Sequence, residues 1–313
     1  MFFCSLAPDI FKRYIPPVRI LQWMFLLGFL AGKLTAQVSV ELRCAQEQYL
    51  LGEPVVMIVE ISNQSGTPLE LGKDADWLTF TVEMRNGTPV PQPGKLSLPG
   101  PFRLESAQLG RVRVDLEPAF RLDKLGNYLV AATLKVPGWA EPVSSKTASF
   151  TIIRGTVLWE QEFGLPPDPA SDNAQRTPEV RKYTLLQANT VKQLRLYVRI
   201  SDPATDRIFA TFPIGNLVSF GRPERQIDRF SNLHVLHQNG ARTFNYVVIT
   251  PSGRLGLRET YEVTTSRPHL RADADGKVLI TGGQRRPSPS DLPVPDNQPA
   301  AVTNSPASSQ PQP

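Results

Sequence analysis

Apolar side chains recur at every second position over long stretches of this chain. Val55, Met57, Val59 and Ile61 share one face of an extended segment; so do Leu78, Phe80, Val82 and Met84, then Val112, Val114 and Leu116, then Tyr128, Val130, Ala132 and Leu134. Successive side chains of a β-strand point to opposite faces, so this spacing predicts strands with one buried side. The intervening Thr79, Thr81, Glu83, Arg111, Arg113 and Asp115 are polar and point the other way. Turn formers separate the runs at Asn63 to Pro68, at Asn86-Gly87 and along the proline-rich stretch Pro89 to Pro101. Antiparallel strands with one apolar face each predict two packed sheets over residues 37–155.

Residues 156–283 read as a second β-rich domain. Val157 to Phe163, Tyr183 to Gln187, Leu194 to Ile200, Arg207 to Phe212, Leu233 to His237, Phe244 to Ile249, Arg258 to Val263 and Lys277 to Ile280 are its expected strands. A polar insert from Gly164 to Pro178 reads as an exposed loop or linker. Asn239-Gly240, Ser252-Gly253 and Asp275-Gly276 supply residues that tight hairpins need at positive φ. A weak repeat at an offset of fifty aligns Leu186, Asn189, Lys192, Leu194 and Val198 with Leu236, Asn239, Arg242, Phe244 and Val248. The segment is too short for a propeller of at least four blades of roughly 40 residues, so a small sandwich or a meander is expected.

The two ends differ from this middle. Lys12, Arg13 and Arg19 precede an apolar stretch from Ile20 to Gly32, followed by Lys33-Leu34-Thr35-Ala36. That order is the order of a secretory signal with cleavage after Ala36, an uncleaved signal anchor being the competing reading. Export to the periplasm or the cell exterior follows as an expectation, with no membrane span left after cleavage. At the other end, residues 284–313 hold eight of the thirty prolines and no aromatic side chain, which predicts a disordered tail.

Charge and cysteine narrow the picture. Removing the leader, which carries +3, leaves +2 of the formal +5, too little to call for nucleic acid as a partner. Only Cys44 remains after cleavage, so no intramolecular disulfide can form. The alternation Val38, Val40, Leu42, Cys44 places the thiol on an apolar strand face, where a small buried hydrophobe is its expected role.

One segment carries a resemblance. Leu122-Asp123-Lys124-Leu125-Gly126-Asn127-Tyr128 resembles the tyrosine corner of immunoglobulin-like and fibronectin-type-III-like sandwiches. The stretches Tyr49 to Val55 and Ile61 to Leu69 also resemble the opening of immunoglobulin-like domains of exported bacterial proteins, and are similar to the bacterial intracellular proteinase-inhibitor-like domain. The resemblance covers about residues 38–153 and implies an immunoglobulin-like sandwich. It departs from antibody-type domains in lacking a cysteine pair, so Trp77 has no disulfide to pack on. Leu122, Gly126, Tyr128 and Cys44 are structural residues in this reading.

Candidate chemistry is sparse. His234 and His237 are three apart, which puts them on opposite faces of a strand, and His269 lies far along the chain; a metal site is not expected. Asp273-Ala274-Asp275-Gly276 resembles part of a calcium loop, but Arg271 and Gly282 stand where its outer ligands belong, so a hairpin turn is favoured. The nucleophile-elbow, zinc-protease, phosphate-loop and dinucleotide motifs do not occur, and no cofactor is expected. What remains is a basic pattern: Lys192, Arg195, Tyr197 and Arg199 alternate with Leu194, Leu196, Val198 and Ile200, and Arg222, Arg225, Arg229 and Arg242 follow. This predicts an anion- or partner-facing patch with Tyr197 as an aromatic contact, against the plainer reading of a solvated face whose arginines pair across strands.

The sequence thus points to an exported all-β, non-catalytic binding or structural module touching a protein or an anionic glycan, in an oligomeric state that it does not specify. Two alternatives stand beside it. A protease inhibitor would use Pro89 to Pro101 as its loop, and a cell-wall or glycan hydrolase would gather His234, Asp228 and Glu224 around a pocket.

Overall fold

The computed structural model describes residues 37–165, 179–191, 193–218 and 221–292. The leader, most of the Gly164 to Pro178 insert, Lys192 and the last twenty-one residues lie outside the described residues. Among the described residues every regular element is a strand. In chain order these are β1 (Gln37–Cys44), β2 (Gln48–Leu50), β3 (Val56–Gln64), β4 (Leu69–Leu71), β5 (Leu78–Met84), β6 (Phe102–Leu104), β7 (Gln108–Asp115), β8 (Gly126–Leu134), β9 (Val143–Ser144) and β10 (Ala148–Ile153). They continue with β11 (Thr156–Gly164), β12 (Val180–Asn189), β13 (Leu194–Ser201), β14 (Ile208–Asn216), β15 (Glu224–Ile227), β16 (Leu233–Gln238), β17 (Thr243–Ile249), β18 (Leu255–Glu262), β19 (His269–Ala272), β20 (Val278–Thr281) and β21 (Gln284–Arg285).

In the N-terminal half, β1-β3-β7 form one sheet and β2-β10-β8-β5 the other, with β9 beside β8. All pairs are antiparallel except β2 with β10, which is parallel. The alternating apolar positions meet between the sheets: Met57, Val59 and Ile61 of β3 face Tyr128, Val130 and Ala132 of β8 in one core. Each such aliphatic side chain contributes about 1.5–3 kcal/mol of transfer free energy, which chain entropy then largely offsets. Tyr128 stacks on Phe150 with ring centroids 5.2 Å apart, and its hydroxyl donates to the Lys124 carbonyl at 2.6 Å. Leu122 is buried beside it, while Gly126, at φ 138°, occupies backbone that few side-chain-bearing residues adopt. Asn63, fully buried, organises the turn after β3: its amide donates to the Thr67 and Leu104 carbonyls, and its oxygen accepts from Ser65.

In the C-terminal half two four-strand meanders, β11-β12-β13-β14 and β15-β16-β17-β18, follow one another and stack across a shared core, much as neighbouring propeller blades do. Tyr183, Leu185, Val198 and Ile200 from the first meet Leu233, Val235, Val247 and Ile249 from the second. The repeat seen in the sequence marks the central hairpins of the two meanders, but its register needs correction. Leu185 and Val235 occupy equivalent places fifty residues apart, whereas Val198 corresponds to Val247 and Ile200 to Ile249, forty-nine apart. The second hairpin is one residue shorter, and a one-residue slip moves every following side chain to the opposite face. Phe244 and Val248 are therefore equivalent to Arg195 and Arg199, not to Leu194 and Val198.

The far face of each meander is also covered. A β19-β20 hairpin places Leu270 and Ile280 against Leu236, Phe244 and Tyr246, while Leu50 packs on Leu186, Ala188 and Tyr197 of the first meander. Residues 284–292, assigned from sequence to a disordered tail, are structured. β21 pairs with β18, Arg286 bonds Glu262 at 2.7 Å, and Thr260 donates to Asp291 at 2.8 Å. Backbone pairing and ion pairs hold this segment without apolar burial, which a composition rich in proline and poor in apolar residues does not reveal.

Candidate functional site

The arginine pattern on β13 is where sequence reasoning placed its site, and the structure turns that face inward. Tyr197 is 1% exposed and cannot serve as the outward aromatic contact expected of it. It fills the apolar patch with Leu50 and Leu186. Arg199, half-buried, donates through Nη2 to the Leu51 carbonyl at 3.1 Å and through Nε to the Thr211 hydroxyl at 3.2 Å. Arg195 donates to the Gln46 side chain at 3.1 Å, and the Val191 amide donates to Gln48 at 3.0 Å. The physical reason is the segment that follows β2. Gly52, at φ 74°, lets the Leu50 to Glu53 turn reach β14; a Cβ there would stand 2.5 Å from the Ile208 side chain. Glu53, 2% exposed, accepts from the Leu50 amide at 2.9 Å and from Gln46 at 3.0 Å. Burial pushes its carboxyl pKa upward, against the pull of those bonds and of Arg195.

The remaining predicted basic residues scatter. Arg242 sits in the other meander and donates to the Val263 carbonyl at 2.8 Å. Arg225 lies over the Trp159 ring at 5.6 Å and Arg229 over Phe230 at 4.8 Å. Arg195, Tyr197 and Arg199 are thus brought together as a joint between the two halves, and Arg242 is not part of it. Cys44 is half-buried near the same junction, its sulfur 3.8 Å from that of Met57, and burial pushes its thiol up to about 11. A thiol so raised is protonated at neutral pH and is a poor nucleophile.

The histidines divide between two arrangements and a buried site. His234 bridges Tyr246 and Asp228: Nδ1 shares a hydrogen bond of 2.6 Å with the Tyr246 hydroxyl, and the Asp228 carboxylate accepts from Nε2 at 3.1 Å. Burial works against the Asp228 carboxylate, yet bonds from Asn232 and His234 hold its pKa below the usual carboxylate value. Glu224 turns elsewhere, accepting from His269 and from the Leu270 amide, each at 2.8 Å. Two of the three groups named for a hydrolase therefore meet, and the third ties β15 to β19. His237 lies between the meanders at 1% exposure with neither ring nitrogen hydrogen-bonded. Burial, with the charge of Arg258, pushes its pKa down to about 3. Gly215 makes room for that ring, since a Cβ there would stand 2.6 Å from Nε2.

Asp273 accepts from the Asp275 and Lys277 amides at 3.0 and 2.8 Å, so its carboxylate closes its own hairpin turn. The Pro89 to Pro101 stretch is tied down by the Val90 amide bonding Val82, Gly94 bonding Ala119 and Arg121 bonding Pro91. Leu96 and Leu98 pack on the core.

Two surfaces that the sequence reading did not single out remain open. The first is β11, an edge strand that pairs only with β12 among the described residues. Val157 is 52% and Leu158 38% exposed there, beside exposed Glu160, Gln161 and Glu162. Phe163 turns inward and stacks on Tyr183 at 4.1 Å, which anchors the strand. The second is a cleft of about 320 Å³ between the segment after β4 and the turn that follows β8. A Pro137-Gly138 turn, with Gly138 at φ 81° and the Trp139 amide donating to the Val136 carbonyl at 3.1 Å, presents the Trp139 indole at 40% exposure. Neither surface follows a hydrophobic period: exposed apolar side chains look like buried ones in sequence.

No family model matches this chain, and neither does any curated protein. Its function must be argued from these surfaces.

Proposed function

We propose that the protein is an exported, non-catalytic binding module that contacts a protein partner by adding the partner's strand to β11. The β11 edge carries this reading: among the described residues the strand pairs on one side only, with a register shift at Leu158 and a regular ladder from Trp159 to Gly164, and with Val157 and Leu158 exposed at the irregularity. Edge strands facing only water are usually blunted by charged residues, proline, a β-bulge or a covering loop, because an open edge templates pairing. β11 has neither lysine nor proline; its irregularity at Leu158 confines regular pairing to Trp159 to Gly164, where the outward Glu160 and Glu162 repel an acidic or like strand and favour a partner that alternates apolar with basic residues.

The anionic-glycan reading loses its main support, because Arg195 and Arg199 already bond the Gln46 to Leu51 segment. The N-terminal half is best read as an immunoglobulin-like sandwich. The β1-β3-β7 sheet opposite β2-β10-β8-β5, the parallel β2-β10 pair and the Tyr128 hydroxyl bonding backbone four residues upstream support it.

A displayed library of nine-residue peptides, selected against residues 37–292, tests the function. The expected binders alternate apolar and basic side chains and lose affinity when Val157 and Leu158 are both replaced by Lys. Binders indifferent to those changes, or none at all, would remove the reading.

A further inference from the structure

The Trp139 cleft lies in the other half of the molecule from β11 and is made independently of it. Its floor is Trp77, 3% exposed, which packs edge-on against Phe102 with centroids 5.6 Å apart. Its rim is the exposed Trp139, carried on a turn that the Lys135 amide fixes by donating to the Trp77 carbonyl at 2.9 Å. The turn thus carries a large aromatic side chain that stays 40% exposed at the cleft. Tryptophan contributes large contact area at small entropic cost, and its enrichment in binding sites has that cause.

The polar lining decides what such a ring would meet. Glu70, Asp74 and Glu141 supply acceptors, and Lys73 and Lys135 supply donors, around the apolar walls Leu71, Val136, Pro137 and Pro142. Glu70 lies 3.8 Å from both Lys73 and Arg103, and Lys135 pairs with Asp76, all of them solvent-exposed pairs that a ligand can reorganise. A cationic ligand would meet two ammonium groups, and an anionic one three carboxylates. A neutral ligand rich in hydroxyl groups satisfies both kinds of lining and lays its C–H face on the indole, an arrangement that the negative face of the ring favours. The volume, near the small end of ligand clefts, suits one short stretch of rings, not a large cofactor.

We propose that this cleft binds a neutral saccharide, with Trp139 as its stacking platform. Glu141 and Asp74 accept from the hydroxyls, and Lys73 donates to them. The inference goes beyond the β11 reading and does not depend on it.

The test is titration of residues 37–292 with neutral hexasaccharides of glucose, N-acetylglucosamine, mannose and galactose, read by tryptophan fluorescence and calorimetry. A proline-rich decapeptide, a lysine-rich peptide and heparin serve as competitors of other chemistry. At least one neutral saccharide is expected to quench or blue-shift emission saturably. Trp139→Ala should weaken that binding about tenfold or more, and Trp139→Phe should keep most of it. Because Trp139 is 40% exposed, Trp139→Ala should lower the melting temperature slightly while leaving the folded fraction at assay temperature and the far-ultraviolet spectrum unchanged, and Trp139→Phe should melt closer to the wild type, which separates loss of a site from loss of fold. Saccharide binding untouched by Trp139→Ala would overturn the proposal. So would the absence of neutral-saccharide binding, or a response to the peptides or heparin alone. Repeating the titration with the Val157→Lys, Leu158→Lys double variant should leave saccharide binding unchanged, whatever becomes of the β11 reading.

Discussion

Arg199 reaches out of β13 to donate to the backbone carbonyl of Leu51 at 3.1 Å, and by that bond the C-terminal half grips the N-terminal one. The same guanidinium holds the buried Thr211 hydroxyl at 3.2 Å. Burial lowers the Arg199 pKa. An arginine kept in such a place is bonded to protein and is not free for a polyanion.

Removing it should expose that role. Arg199→Ala leaves a carbonyl and a buried hydroxyl without their donor, at about 1–3 kcal/mol, while Tyr197→Ala empties the apolar patch at about 3–5 kcal/mol. Urea denaturation should show both losses. Heparin retention at moderate salt should be the same for wild type and Arg199→Ala; a clear loss of retention would return the residue to an anion-binding role.

His237 makes stability depend on pH in a defined direction. Its folded pKa, pushed down to about 3 by burial and Arg258, lies below the ordinary value near 6.5, so the folded protein keeps the ring neutral where the unfolded chain takes up a proton. The favourable balance is complete above about pH 6.5. It then falls as pH drops toward 3, by about 1.4 kcal/mol per pH unit. Melting of wild type and His237→Gln compared at pH 7 and pH 4.5 should show the wild type losing more on acidification. Parallel losses would mean that the ring is not buried neutral.

Tyr128→Phe keeps the stack on Phe150 and removes only the bond to the Lys124 carbonyl. The expected cost is about 0.5–1.5 kcal/mol by chemical denaturation, with β11 peptide binding unchanged.

The N-terminal core was legible because each strand there has one covered face: Met57, Val59 and Ile61 alternate with less buried partners, and a period of two reports burial directly. The same logic misled on β13. Its Leu196 and Val198 face one core while Tyr197 packs in another, so polar-looking alternation concealed a second covered side. Nothing local to β13 encodes Leu50 or Leu51, some 148 residues away, as partners. Short strands such as β2, β15 and β21 show no period because two to four residues are too few to display one, even where, as at Tyr49 and Leu50, they are buried. Trp139 was invisible as a site for a related cause: its exposure comes from a turn, and a turn residue carries no periodic signature.

Amide hydrogen exchange along β11, with and without a selected partner peptide, tests the central claim most directly. Strand addition predicts that every second amide from Trp159 to Gly164, beyond the register shift at Leu158, slows on binding, those whose N–H groups point away from β12, while the others already pair with it. Protection appearing elsewhere with β11 unchanged, or spread evenly along it without the two-residue spacing, would contradict partner recognition at this edge.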